Sequence, residues 1–493
     1  EITTRLVGSE MCIRDRVYYG NYEFDKECIT NRDRMFDCPQ NLREEEMFEV
    51  PEWAANKVVY QIFPSRFAAT EPVDKELWYK APITPMDDLH GNLRGIIEHM
   101  DDIQNLGIDV LYMTPIFQSN SCHKYDTTDY YQIDPSFGTT EDLKELVQKA
   151  HERGMKVVLD AVYNHTGREF FAFADILENG EKSKYRDWYF IDGFPLKSEW
   201  GEIPNFKCFG YYGGMPKLNL KNPEVEKYIT DVACYWIKEC DIDGWRLDVG
   251  DEISHFFWKN FRKAVKAVKK DMLIIGEIWH YAGDFLEGDE WDTVMNYPFY
   301  LNLIDLLADE KITVSQFVQN LGYLKGRLNK KCYPLMWNLI DSHDTARFLH
   351  LCKDNKKKQH LAAAFQLLLP GMPMIYYGDE YAMPGANDPD CRRGMYWDEE
   401  YQDKEMYEWY KRLIQVRKSH ACIVEGELAG SVTEDEEGTV VLIRKNGEET
   451  IAMIFNCSSS AKKFNEYTQK YNLLTENTFD GNVEGFDAAV IVL

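Results

Sequence analysis

The sequence predicts an α/β protein: a closed (β/α)8 TIM barrel with a subdomain inserted after strand 3 and an all-β domain at the C-terminus. Three observations predict it. From Lys57 to about His420, short apolar runs alternate with amphipathic, charge-bearing runs, the pattern of a parallel sheet whose crossovers are helices. Eight such apolar runs occur, the number that closes a barrel. One interval, His165 to Pro223, holds about sixty residues rich in Gly, Phe, Tyr and Trp, too long for an ordinary loop.

In chain order, Val58 to Phe63 reads as the first buried strand. Arg94 to Leu106 reads as one helix, followed by strand Val110 to Met113. Glu141 to Arg153 is helical and leads into strand Val157 to Val162. After the long interval come helix Val225 to Glu239, strand Gly244 to Val249, helix Phe256 to Lys269 and strand Leu273 to Ile278. Thr293 to Met295, Met336 to Ile340 and Met374 to Tyr377 complete the eight. Beyond His420, the runs Val440 to Ile443, Ile451 to Phe455 and Val490 to Leu493 are strand-like and separated by Gly, Asn and Asp turns. The expected division is an N-terminal segment over 1–52, a barrel over 53–420 containing the subdomain at 166–219, and a C-terminal β-sandwich over 421–493.

The net charge is −27, from 56 basic and 83 acidic residues. Such a surface repels phosphate backbones and anionic head groups, which argues against nucleic acid and membrane partners. It leaves neutral ligands open. Aromatic residues make up 14% of the chain, a supply of flat apolar faces suited to stacking on sugar rings. The 12 cysteines are dispersed, with no Cys-x-x-Cys pair, so neither a zinc site nor a redox motif is indicated. Dispersed, unclustered thiols read as a reducing, cytoplasmic setting. The chain does not begin with Met, so a leader lost with the true start stays open. No run of about 18 apolar residues occurs.

Acidic residues stand at the carboxyl ends of several predicted strands, the end that carries the active site of such barrels. Asp160 closes the third strand, Asp248 the fourth and Glu277 the fifth, while Asp344 follows the seventh. One carboxylate in an apolar run is as readily a structural ion pair as a functional group. Several on separate strands of one barrel are harder to read that way. In Gly244-Trp245-Arg246-Leu247-Asp248, alternation turns Arg246 and Asp248 to one face. The Arg is expected to lower the Asp248 pKa and keep it ionised, as a nucleophile requires. Glu277 follows Ile274-Ile275-Gly276, apolar neighbours expected to raise its pKa, as a general acid requires. Two carboxyl groups in opposed environments point to glycoside hydrolysis.

Four stretches, Asp160-Ala161-Val162-Tyr163-Asn164-His165, Gly244-Trp245-Arg246-Leu247-Asp248, Gly276-Glu277-Ile278-Trp279-His280 and Ser342-His343-Asp344, occur in this order. They resemble the four conserved regions of the α-amylase superfamily of glycoside hydrolases. A fifth, Met215-Pro216-Lys217-Leu218-Asn219, resembles the signature of the neopullulanase, cyclomaltodextrinase and maltogenic amylase group. The resemblance implies Asp248 as nucleophile, Glu277 as acid/base and Asp344 as stabiliser of the oxocarbenium-like state. It implies Arg246, His165 and His343 around the −1 glucose, Tyr125 stacked beneath it and Asp160 as support. Asp388 and Arg392 would contact the −2 glucose, Trp279 would stack at the +1/+2 side, and His280 is grouped with the substrate-binding residues. The implied activity is retaining hydrolysis of α-1,4-glucosidic bonds in cyclodextrins, pullulan and maltooligosaccharides, with some transglycosylation. The two catalytic carboxyls would stand about 5–5.5 Å apart. The alternative in the same superfamily is an oligo-α-1,6-glucosidase, whose fifth motif usually reads Gln-Pro-Asp-Leu-Asn. A non-catalytic amylase-like barrel is disfavoured because all three acids are present. No cofactor is implied. Asn164 resembles a calcium ligand of many α-amylases, but Glu252 replaces the His those enzymes use, so no obligatory metal is predicted.

Departures from the group's pattern lie on the aglycone side: Gly250-Asp251 where Ala-Asn is usual, and Tyr281 where Asp is common. At the front, only Val17 onward looks like the end of the group's N-terminal β-sandwich. The stretch from Leu6 to Arg16 resembles translated sequencing-library adapter, so residues 1–16 are expected to be non-native and the N-terminal domain truncated. In relatives that domain helps form a homodimer, so dimerisation is expected to depend on its presence.

Overall fold

The computed structural model describes residues 49–197 and 203–493 in full, and the backbone of residues 10–13, 15–19 and 24–25. The chain divides into two compact units, Glu1–Phe48 and Glu49–Leu493. In the first, Glu10–Ile13, Asp15–Tyr19 and Phe24–Asp25 form a three-stranded antiparallel sheet. Most of the expected sandwich remnant, and much of the stretch expected to be non-native, lies outside the described residues.

The second unit is organised by eight parallel strands: β1 (Val59–Ile62), β2 (Val110–Met113), β3 (Lys156–Ala161), β4 (Gly244–Leu247), β5 (Leu273–Gly276), β6 (Thr293–Val294), β7 (Trp337–Asn338) and β8 (Met372–Tyr376). Their order in space is β6-β5-β4-β3-β2-β1-β8-β7. A parallel bridge between Met295 and Trp337 joins the two ends and closes the ring. The sequence places every strand. It overextends β4 and β5, because Asp248 and Glu277 already belong to the turns that follow.

Alternation within the strands builds the interior in layers. Val59, Val110, Val158, Leu273, Met372 and Met374 are apolar plugs inside the ring. One position higher on the same face, Gln61, Asp160 and Arg246 are polar yet buried, so the interior changes from oil to charge toward the carboxyl ends. Gly244 sits where staves crowd: a Cβ there would meet the Leu273 carbonyl at 2.8 Å and Val158 at 3.0 Å.

The outer helices include α1 (Leu93–Glu98), α2 (Met100–Leu106), α3 (Thr140–Glu152), α4 (Pro223–Cys240), α5 (His255–Val268), α6 (Val314–Arg327), α7 (Lys356–Leu368) and α8 (Lys404–Ser419). Their starts follow capping chemistry. Thr139 and Asp142 form a reciprocal capping box on α3, and Asn222 caps α4 ahead of Pro223. The single helix expected over Arg94 to Leu106 is two helices. The chain turns at His99, whose ring stacks on Trp397 at 3.6 Å while its Nδ1 bonds Asp102. Between α7 and β8, the buried Arg417 of α8 donates to the carbonyls of Leu367, Leu369 and Gly371, which lie at and just past the end of α7.

After strand β3, the described residues from His165 to Asn219 carry only short helices and isolated bridges, among them His165–Lys217 and Tyr189–Leu218. At the C-terminus, a six-stranded antiparallel sheet forms around the long strands Glu427–Glu434, Thr439–Asn446, Glu449–Asn456 and Asp487–Val492, with its own apolar cluster of Val441, Ala452, Ile454, Phe464 and Ile491.

Candidate active site

The polar layer converges on Arg246. Its side chain is wholly buried on β4, and alternation aims it up the ring. Nη1 donates to Asp160 Oδ1 at 3.0 Å and to Asp248 Oδ1 at 2.9 Å. Nη2 lies 3.0 Å from Glu277 Oε2 and 4.0 Å from Asp344 Oδ2. The ends of β3, β4 and β5 and the turn after β7 therefore present four carboxyl groups to one guanidinium. Removing such a charge cluster from water is tolerable only with this pairing.

Each acid has further partners. Asp160 Oδ2 accepts from Tyr112 at 2.7 Å and Tyr125 at 2.9 Å. Glu277 Oε2 accepts from the backbone N–H of Val249 at 2.9 Å, and Oε1 from the Trp279 indole at 3.1 Å. Where apolar neighbours were expected, Glu277 thus meets two donors, with the Arg246 guanidinium beside them. Neighbouring Val249 is held at φ 47°, a conformation costly for a β-branched residue, and this turn delivers its N–H to Glu277. Asp344 is the open member, its side chain 30% accessible, with Arg392 Nη2 3.4 Å from Oδ1 and His343 Nε2 3.2 Å from Oδ2.

The expectation that Arg246 would hold the Asp248 pKa down is corrected. Burial is the largest influence and pushes it up. Arg246 opposes this, but Glu277, Asp160 and Asp344 add to it, leaving Asp248 well above the usual carboxylate range. Burial likewise raises Asp160, with Arg246 opposing it.

Tyr125 and His343 form a wall. Their rings are parallel, 5.5 Å apart, with Tyr125 Oη 2.5 Å from His343 Nε2. On its other side His343 Nδ1 faces the Gln61 amide nitrogen at 2.7 Å. A donor at Nδ1 leaves the ring proton on Nε2, the nitrogen beside Tyr125 and Asp344. Burial, then Arg392 and Arg246, keep this imidazole neutral, with its pKa well below the ordinary value. His165 Nε2 lies 3.1 Å from the Tyr125 carbonyl oxygen, and burial pushes its pKa down to about 4.

The predicted residues thus join by direct contacts into one group: Asp160, Arg246, Asp248, Glu277 and Asp344, with Tyr125, His165 and His343 to one side. Arg392 Nη1 pairs with Asp388 Oδ1 at 2.8 Å, extending the group outward. Trp279 continues it past Glu277, 42% exposed and stacked on Tyr297 at 3.9 Å. His280 stands apart: it is exposed and pairs with Asp251 at 3.2 Å. Sequence reasoning missed Gln61 and Tyr112. Both are polar-bearing residues in runs otherwise buried and apolar, at positions in phase with the polar layer, and that phase was the available signal.

The structure also bears on calcium. Lys217 Nζ donates to Asn164 Oδ1 at 2.7 Å and to Glu252 Oε2 at 2.6 Å, and Asn164 Nδ2 donates to the same Glu252 oxygen at 3.2 Å. The oxygens a hard cation would take are already neutralised by an ammonium, so these residues do not fit a calcium ion.

Comparison with known proteins agrees with this geometry. The family described as "Alpha amylase, catalytic domain" matches residues 61–402. A cyclomaltodextrinase from Geobacillus thermopakistaniensis (strain MAS1) is 44% identical over 451 residues, covering 91% of this chain and 76% of that protein. Neopullulanase 2 from Thermoactinomyces vulgaris is 41% identical over 448 residues, covering 90% of this chain and 76% of that one. Among solved structures, a cyclomaltodextrinase superposes with a TM-score of 0.90 at 37% identity, covering 98% of this chain and 85% of that one.

Proposed function

Because the chain belongs to the α-amylase catalytic-domain family, we propose that it is a retaining α-glucan hydrolase that cleaves α-1,4-glucosidic bonds in cyclodextrins, pullulan and maltooligosaccharides. The observation that carries the mechanism is the placement of Asp248 and Glu277 on opposite nitrogens of one buried guanidinium, with Asp344 open to solvent beside them.

In the first step the Asp248 carboxylate attacks the anomeric carbon. The glycosidic C–O bond breaks, and the leaving oxygen takes a proton from Glu277. Glu277 enters this step as the protonated acid and leaves it as a carboxylate. In the second step Glu277 removes a proton from water, the water oxygen attacks the same carbon, and the ester to Asp248 breaks. When the acceptor is a sugar hydroxyl instead of water, the product is a transglycosylated glucan. The surplus negative charge around Arg246 stabilises the positive charge that develops on the ring. Asp344 and His343 hold hydroxyls of the −1 glucose, Tyr125 stacks beneath it, and His165 and Asp160 keep that wall in place. Asp388 and Arg392 contact the next glucose, while Trp279 and His280 serve the leaving side.

The same reading takes 53–420 as the barrel with subdomain 166–219, and 421–493 as the C-terminal domain. It places the protein in the cytoplasm, with homodimerisation dependent on an N-terminal domain. Parallel digestion of β-cyclodextrin, pullulan and soluble starch tests the substrate class. Panose from pullulan, ring opening faster than starch attack, and α-anomeric products at early times support it. β-Anomeric products or inertness on all three overturn it.

A further inference from the structure

We infer that Arg347 is a positioning residue for the glycone half of the active site, acting through Asp344 and Arg392. The inference rests on the sugar-cleaving reading above. Arg347 lies three residues beyond Asp344, and its side chain is wholly buried. It touches none of the groups expected to contact substrate. Instead it ties together the two segments that carry them. Its backbone N–H donates to the Gly385 carbonyl at 3.0 Å, and Nε donates to the Cys391 carbonyl at 3.1 Å. Nη2 donates to the Tyr377 carbonyl at 2.8 Å, and Nη1 to Asp379 Oδ1 at 3.1 Å. The guanidinium also lies 4.3 Å from the Tyr376 ring centre.

These bonds fasten the turn after β7 to both ends of the segment running from β8 to Arg392. The contacts beyond the fastening reach the site. Cys391 Sγ and Arg392 Nε both donate to the His343 carbonyl, at 3.3 and 2.8 Å, and Arg392 Nη2 reaches Asp344. A shift of the 385–392 segment therefore moves Arg392, the His343 carbonyl and Asp344 together.

A second buried acid supports the same joint. Asp341 Oδ2 accepts from the Phe348 N–H at 2.7 Å, which closes the turn around Asp344. Asp341 Oδ1 and Asp379 Oδ2 are both buried without a hydrogen-bond partner, and burial raises both carboxyl pKa values while Arg347 opposes the rise. Arg347 is the cation beside these two acids, paired with Asp379 Oδ1 at 3.1 Å. The fork is what the joint uses: three nitrogens reach three separate acceptors in fixed directions, a geometry an ammonium does not hold.

The test is a double-mutant cycle in the full chain, with kcat and KM measured on maltotriose. Arg347→Lys and Arg347→Met are made in the wild type and in an Arg392→Ala background. In the wild-type background the Arg347 changes are expected to lower kcat/KM about tenfold, and in the Arg392→Ala background less than about twofold. Equal losses in both backgrounds overturn the inference, as does failure of both Arg347 variants to fold. Asp379→Asn keeps the oxygen that accepts from Arg347 and offers an amide proton to Asp341. It is expected within about twofold of wild type, and a loss as large as that of Arg347→Lys overturns the inference. A wild-type enzyme inert on every α-glucan overturns the sugar-cleaving reading itself, whereas additive losses in an active enzyme overturn this one alone.

Discussion

Glu277→Gln is the substitution whose consequences the geometry defines most closely. Glu277 receives the Trp279 indole N–H on one oxygen and the Val249 N–H on the other, with Arg246 Nη2 beside the second. A glutamine can accept with only one end. Whichever way it turns, its NH2 faces a donor, and one buried polar contact is lost at about 1–3 kcal/mol. The folded state should therefore survive with a lowered melting temperature. The larger effect is chemical. An amide cannot give its proton to a leaving sugar oxygen, and loss of a positioned general acid removes about 10²–10⁴ in rate, or roughly 3–5.5 kcal/mol of barrier. The assay compares maltotriose with α-maltosyl fluoride, whose fluoride leaves without protonation. In this variant kcat/KM on maltotriose should fall by the full factor. Formation of the covalent intermediate from the fluoride, followed by mass spectrometry, should persist at a rate much nearer wild type. Equal losses on both substrates would show that Glu277 is not the acid.

Two further outcomes follow from groups outside the acid cluster. Glu380 is wholly buried against the Tyr60 hydroxyl and the Gly378 N–H, and burial raises its pKa to about 7. A carboxyl raised on folding contributes stability that is fully present below its unfolded pKa and is lost as pH rises through the folded value. The melting temperature should therefore decline between about pH 4.5 and 7, by up to about 3 kcal/mol in unfolding free energy. Glu380→Gln should flatten that slope, and an unchanged slope would remove Glu380 as its source. Second, because an ammonium occupies the oxygens of Asn164 and Glu252, chelation with EDTA should leave the melting temperature and turnover unchanged, while Lys217→Met should lower the melting temperature by about 2–4 kcal/mol in stability. A drop in either quantity on chelation alone would contradict this.

The staves were legible because each is a short, largely apolar run, and the helices between them announce their starts with Thr, Asn and Ser caps. The acids were legible for the converse reason: a charge at the end of such a run has nowhere to go but the ring's mouth. What the sequence hid is the sum of the charges. Reading Asp248 beside Arg246 as a pair missed first its complete burial, the largest influence, and then Asp160, Glu277 and Asp344 around the same guanidinium; together these reverse the direction of the Asp248 pKa. Pairwise spacing along one strand says nothing of residues delivered by three others. The bend at His99 was hidden for the same reason, since its stacking partner Trp397 lies about three hundred residues away. Lys217 appeared only as part of a family motif, and its use as a built-in counter-ion depends on Asn164 and Glu252 arriving from separate loops.

The joint made by Arg417 differs in kind from the carboxylate ties of the active site. Its guanidinium meets peptide oxygens alone, and such acceptors do not take up protons in any ordinary buffer. Acidification that weakens carboxylate-based ties elsewhere in this strongly anionic chain has no purchase on that clasp. The junction of helices α7 and α8 is thereby built to outlast the carboxylate-based ties as the medium turns sour.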